Sequence, residues 1–163
     1  MSDVAESKNV NLQTVNDPKE FKNRKKISTH DEKVEARFQR ELKAACRSLQ
    51  FVSETDADII PFSAAAPSSG SLRSYLKTLE ITSAEIEEVA FDNFFDRLTK
   101  EKDWFGPTEK DRAEQFAKLR EVLETNLEKL RVIRVGKVQI DIYVVGLDAN
   151  GRLAGVKTKA VET

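Results

Sequence analysis

Histidine is almost missing from this chain: among 163 residues there is one, His30. Nucleophilic triads, histidine-dependent nucleases and histidine-ligated metal centres therefore lack their parts. One cysteine, Cys46, excludes an intramolecular disulfide and suits a reducing compartment. Six glycines, widely scattered, make no phosphate-cradling loop. The nearest approach, Gly146 to Gly151 to Gly155, falls in a hairpin pattern and not at a strand-to-helix turn. No apolar run nears the ~18 residues of a membrane span, and the first twenty residues carry no apolar signal-peptide core. Neither membrane insertion nor secretion is expected, which leaves the cytoplasm or the nucleus. Charge of one sign is also lacking, since the formal net charge is −1. Residues 1–30 hold six basic and four acidic residues, and the remainder holds 21 basic and 24 acidic, a net of −3. A mildly acidic body is a poor ligand for nucleic acid.

What is present is a balanced composition, 39% hydrophobic and 34% charged, typical of an α+β domain with a well-charged surface. Residues 1–29 are rich in Ser, Asn, Asp and Lys without apolar periodicity, and read as a disordered polar tail. Lys22-Asn23-Arg24-Lys25-Lys26 within it reads first as a solvated basic stretch and second as a nuclear address. The domain is expected over residues 30–163.

A helix is expected from about Thr29, where Thr29 and Glu32 fit a capping box. Val34, Phe38, Leu42, Ala45 and Leu49 then recur at steps of three and four. Cys46 lies on the same stripe and reads as a small core residue. Phe51-Val52 and Ile59-Ile60 read as strand fragments around an acidic loop. Pro67-Ser68-Ser69-Gly70 reads as a turn, Ser71–Leu79 as a short helix and Glu85–Phe91 as a short strand. Asp92 is expected to cap a helix carrying Phe94, Phe95 and Leu98. Thr108 and Asp111 give a second capping signal after Pro107. The helix they open buries Phe116, Leu119, Leu123, Leu127 and Leu130.

The last third has strand character. Val132–Val135 is followed by a turn at Gly136-Lys137. Val138, Ile140, Ile142 and Val144 then alternate with Gln139, Asp141, Tyr143 and Val145, a period of two with one buried face. Asn150-Gly151 signals a hairpin with positive φ at both central positions. Leu153 to Val161 return. A C-terminal antiparallel β-meander packed by long helices gives α+β, layered as an α/β/α sandwich.

Little here can carry catalysis. Glu54, Asp56 and Asp58 are grouped closely enough to hold a hard cation, but without calcium-loop spacing they read as a solvated acidic loop. A carboxylate-dependent hydrolase lacks a base of suitable pKa. Two features are unusual for a surface. Trp104, in EKDWFGP between two helices, is either a packed loop anchor or a binding hot spot. The final strand runs almost to Thr163, where most domains end loosely.

The C-terminal stretch from Val132 through VGKVQIDIYVVGLDANGRLAGVKTKAVET closely resembles the nuclease A inhibitor family, most specifically in the hairpin, the following LAG and the KAVET ending. FVSE at Phe51–Glu54, VAFDNFFDRLT at Val89–Thr99 and Asp103-Trp104 resemble family segments in the same order. The resemblance spans about Glu32 to Thr163. It is weak over residues 55–85 and absent before Thr29. It implies an α/β/α sandwich that is no enzyme and has no cofactor or metal of its own. The implied activity is one-to-one binding of a ββα-metal, magnesium-dependent, sugar-nonspecific nuclease, the free inhibitor being a monomer. The family's contacts correspond to Glu54, Asp103, Trp104 and Thr163, with the carboxylate of Thr163 reaching the nuclease's magnesium. A binding module of the same fold with a different or lost target is the alternative.

The tail's composition cannot bury enough apolar area to offset its ordering entropy. Deleting residues 1–28 is expected to move the melting temperature by no more than about 2 °C, a shift worth well under 1 kcal/mol. Calorimetry of the shortened chain checks this.

Overall fold

The computed structural model describes residues 29–163. The chain divides into a unit over Met1–Glu32 and a unit over Lys33–Thr163, and the fold below is that of the second. The tail and its basic run lie outside the described residues, as do the side chains of Thr29 and His30 and the expected capping box.

Helix α1 covers Thr29–Cys46. Phe38, Leu42 and Cys46, each four residues apart, are buried on one face. Leu49, expected to end this stripe, lies past the helix. Its N–H donates to the Cys46 carbonyl at 3.1 Å, after Ser48 has turned the chain with φ 59°. Strands β1 (Gln50–Val52) and β2 (Asp56–Asp58) form an antiparallel hairpin, followed by β3 (Ile60–Ser63). Half of the segment expected as an acidic loop, Asp56–Asp58, is thus strand, and residues 53–55 turn. Pairing satisfies the backbone groups of a segment whose acidic side chains remain in water.

Helix α2 (Leu72–Thr78) is capped by Ser71, whose Oγ accepts the Ser74 N–H at 3.2 Å. Strand β4 (Ile86–Val89) leads into α3 (Phe91–Thr99). Asp92 does not cap α3. It sits in the first turn, and Ala90 precedes the helix without a side-chain cap. Arg120 has claimed Asp92 and Asp96 at 2.8 and 2.9 Å. An acid there still suits the helix's positive end.

Helix α4 spans Pro107–Asn126. It begins before the expected Thr108 cap because proline's fixed φ already fits the first helical turn. Glu109 closes that end, its carboxylate accepting the Gly106 N–H at 2.9 Å. Phe116, Leu119 and Leu123 are buried as expected. Leu127 is the residue after the helix, and Leu130 belongs to the next strand.

That strand, β5 (Glu128–Val135), opens a meander with β6 (Gln139–Leu147) and β7 (Leu153–Val161). Two strands outside the expected meander complete the sheet: β3 pairs with β7 and β4 with β5, giving the antiparallel order β3-β7-β6-β5-β4. The β6–β7 turn differs from the expected two-residue form. Gly151 has φ 76°, but Asn150 is not among the described non-glycine residues with positive φ. The Asp148 N–H bonds to the Arg152 carbonyl and the Gly151 N–H to the Asp148 carbonyl, at 2.9 and 3.0 Å. This is a three-residue loop with one left-handed position.

Both faces of the sheet are covered. Val132, Ile142, Val144 and Val156 share one core with Phe38 of α1, Phe95 of α3 and Phe116 of α4. Ile133, Val145 and Leu153 share another with Tyr75, beside which Leu72 and Leu76 of α2 pack. Val145, expected on an outward face, is buried because α2 lies over it. The result is an α/β/α sandwich in the α+β class. No helix among the described residues is long and apolar enough to cross a membrane.

Cys46 is 6% exposed, and burial pushes its thiol from 9.0 up to about 12. The neutral thiol is a poor nucleophile. The folded protein is expected to resist iodoacetamide at pH 8 and to react once unfolded in urea. The folded thiol holds its proton more tightly than the unfolded one. Stability linked to it is therefore full below pH 9.0 and is lost as pH rises toward about 12. Alkylation followed by mass spectrometry checks the first expectation.

Candidate partner-binding site

Strand β7 lies inside the sheet, between β3 and β6. Its last residue, Val161, pairs with Gln139 on one side. On the other side the β1–β2 turn holds it: the Val161 N–H donates to Ser53 Oγ at 3.0 Å, and the Glu54 N–H donates to the Val161 carbonyl at 3.3 Å. Ser53 Oγ also donates to the Thr55 carbonyl at 2.9 Å, which closes that turn. Past the strand, the Glu162 N–H donates to the Val138 carbonyl at 2.9 Å, and the Glu162 carboxylate meets Arg134 at 2.7 Å. Thr163 then turns to Glu54. Its N–H donates to Oε2 at 2.7 Å, and its Oγ1 donates toward Oε1 and Oε2 at 3.0 and 2.9 Å.

Glu54 and Thr163 are both exposed, so each contact alone is screened by water and modest in energy. Acting together they fix three consecutive residues, Val161 to Thr163, where a chain would ordinarily fray.

Asp103 and Trp104 stand on the connection between α3 and α4. The Phe105 N–H donates to the Lys102 carbonyl at 2.9 Å, making Asp103 and Trp104 the two corner residues of a tight turn. Asp103 is exposed and Trp104 is 70% exposed. The Trp104 indole meets Phe105 edge-on, with centroids 4.7 Å apart. The packed-anchor reading of Trp104 is therefore set aside, and half-buried Phe105 is the ring nearer the protein.

Topology puts this turn at the sheet end where Thr163 lies. Helix α4 passes into β5 through Leu127 alone, and the two pack in one core, so α4 runs back along β5. The start of α4 then lies at the end where β5 stops, β6 begins and β7 finishes. Two further apolar side chains are exposed at this end, Val52 beside the β1–β2 turn and Val138 before β6, at 47% and 46%.

Of the residues singled out from sequence, the structure brings Glu54 and Thr163 into direct contact and places Asp103 and Trp104 on a separate corner. Glu54, Asp56 and Asp58 do not act as a unit. Glu54 is turned to Thr163, and Asp58 accepts from Gln50 Nε2 at 3.1 Å. Among the described residues, no group of three or more His, Cys, Asp or Glu is placed to hold a metal ion. Sequence reasoning missed Ser53, Arg134, Val138 and Glu162. The arginine inside the apolar strand VIRV was the one available signal, since a cation there needs a partner.

The family described as nuclease A inhibitor-like protein matches residues 36–163, a span that contains Glu54, Asp103, Trp104 and Thr163. No curated protein matches the chain. The match covers most of the sequence, with the whole sheet, α2 to α4 and the later part of α1, and the chain belongs to the nuclease A inhibitor-like proteins.

Proposed function

We propose that this chain inhibits a magnesium-dependent, sugar-nonspecific nuclease of the ββα-metal class, binding it one to one as a monomer and closing its active site. The observation that carries the reading is the anchored Thr163 at an exposed sheet end in a member of this family. A nuclease groove is built to receive phosphates, so carboxylates presented in a fixed array complement it. Magnesium favours hard oxygen ligands and keeps exchangeable waters. The α-carboxylate of Thr163 would replace one such water and block the position of the scissile phosphate. Asp103 would add negative charge beside the groove, and Trp104 would supply an aromatic anchor of the kind that dominates binding energies. Glu54 belongs to the same set.

In this reading the protein itself needs no catalytic residue, cofactor or metal. The inhibitory domain is residues 30–163, with residues 1–29 outside it. The buried thiol of Cys46 fits the reducing interior of a cell, in the cytoplasm or nucleus.

Titration into a ββα-metal nuclease assay is expected to abolish cleavage of both DNA and RNA at one equivalent. Undiminished cleavage in the presence of folded protein would favour a module of this fold with another target. Removing Thr163, or appending residues after it, is expected to weaken inhibition at least tenfold, about 1.4 kcal/mol, with an unchanged melt. An inhibitor tagged at that end and still fully potent would rule out metal capture by Thr163.

Trp104→Ala is expected to weaken binding by about 2 kcal/mol, while stability moves by less than about 0.5 kcal/mol. Asp103→Ala is expected to weaken binding more at low salt than at high salt. Calorimetric binding and melting measured on the same samples check both, and salt-independent binding would count against the acidic contact.

A further inference from the structure

A tryptophan 70% open to solvent would ordinarily be free to turn about its side-chain bonds, yet the Trp104 indole leans on a neighbour. The Phe105 ring stands 4.7 Å away, centroid to centroid, with the two planes 81° apart, the T-shaped arrangement that aromatic quadrupoles favour. Phe105 is itself held. It is half-buried, and its N–H donates to the Lys102 carbonyl at 2.9 Å. The next residue, Gly106, opens α4 with its N–H bonded to the Glu109 carboxylate at 2.9 Å. The Lys102 ammonium lies 6.0 Å from the indole centroid, at the outer limit of a cation–ring attraction, and its exposed, flexible stem makes it a loose support. Phe105 is the fixed surface against which the indole rests.

We infer that Phe105 is a positioning residue: it sets the orientation of the Trp104 indole before the partner arrives, and its contribution to binding passes through Trp104. The consequence for binding rests on the proposed inhibition, but the orientation of the indole in the free protein does not. A side chain that is ordered only on association gives up its rotamer freedom at that moment, and one that already rests on a fixed ring gives up less. What matters at position 105 in this account is the flat ring. Tyrosine keeps it, with the same quadrupole. Leucine and methionine keep apolar bulk toward the protein but offer the indole no ring.

The test uses the full chain and has two independent arms. The chain has one tryptophan, so emission excited at the red edge of the absorption band reports on Trp104 alone. In the first arm, time-resolved fluorescence anisotropy is recorded on the free protein. Phe105→Leu and Phe105→Met are expected to raise the amplitude of the subnanosecond decay by about twofold or more, the timescale on which exposed side chains change rotamer. Phe105→Tyr is expected to decay as the parent does. Melts of the same samples show which variants are folded, and either ringless variant suffices. In the second arm, inhibition is measured for Phe105→Leu, for Trp104→Ala and for the combination. Phe105→Leu is expected to weaken inhibition by about threefold or more. The combined variant is expected to be no weaker than Trp104→Ala alone, since the two changes remove one function. Parent-like anisotropy in the folded ringless variants would overturn the inference. Additive losses in the second arm would overturn it as well, by showing that Phe105 meets the partner directly. If the parent inhibits no nuclease, the proposed function fails, and the anisotropy alone decides whether Phe105 holds the indole.

Discussion

The pairing of β7 is the constraint on which the rest of this structure depends. Its nine residues are matched to β6 without a break, from Leu153 opposite Leu147 to Val161 opposite Gln139, while β3 covers its other edge from Ile60 to Ser63. The fit allows no side chain at one point. Gly155 has φ 153°, and a Cβ there would come 2.0 Å from the Val144 carbonyl oxygen. With both edges engaged, the direction of β7 is fixed, and so is the place where the chain leaves the sheet. The β1–β2 turn, the Val138 carbonyl and the Arg134 guanidinium then need to hold only what lies at that point. A surface feature, the orientation of Thr163, is in this way an outcome of core packing.

Much of the fold was legible in the sequence because its signals are local. The apolar steps of α1 and α4 and the alternation along β6 follow from helical and strand periods, and the structure keeps them. Local signals failed where a distant group competed. Asp92 has the residue type of a cap, but Arg120, 28 residues on, holds its carboxylate. Val145 sits on what periodicity makes a solvent face, but α2 covers it. Leu130 continues the spacing of α4, but the chain has already turned into β5 at Leu127. The edge strands β3 and β4 were expected as strands, at Ile59-Ile60 and Glu85–Phe91, but at four residues each they are too short for alternation to show which neighbours they pair with.

The site was legible in part. Asp103 and Trp104 stand out as an acid and a large aromatic in a polar connection, and their exposure is what the structure adds. Glu54 and Thr163 were each singled out, but no spacing argument joins residues 109 positions apart. Their contact appears only once β7 brings the end of the chain back to the β1–β2 turn. The same holds for Arg134 and Glu162. The surface so assembled combines carboxylates, an indole and two exposed valines at one end of the sheet, while the apolar faces of the helices are spent on the core. That division of labour suits the proposed recognition of a partner, with stability coming from elsewhere in the molecule.

The central claim is that this end of the sheet is the binding face. Amide chemical shifts of isotopically labelled protein, recorded with and without one equivalent of a ββα-metal nuclease and magnesium, test it most directly. The account predicts that the largest changes fall on residues 52–55, 102–105, 137–139 and 161–163, with α1 and α2 nearly silent. Changes centred on α1 or α2, or none at all, would contradict it.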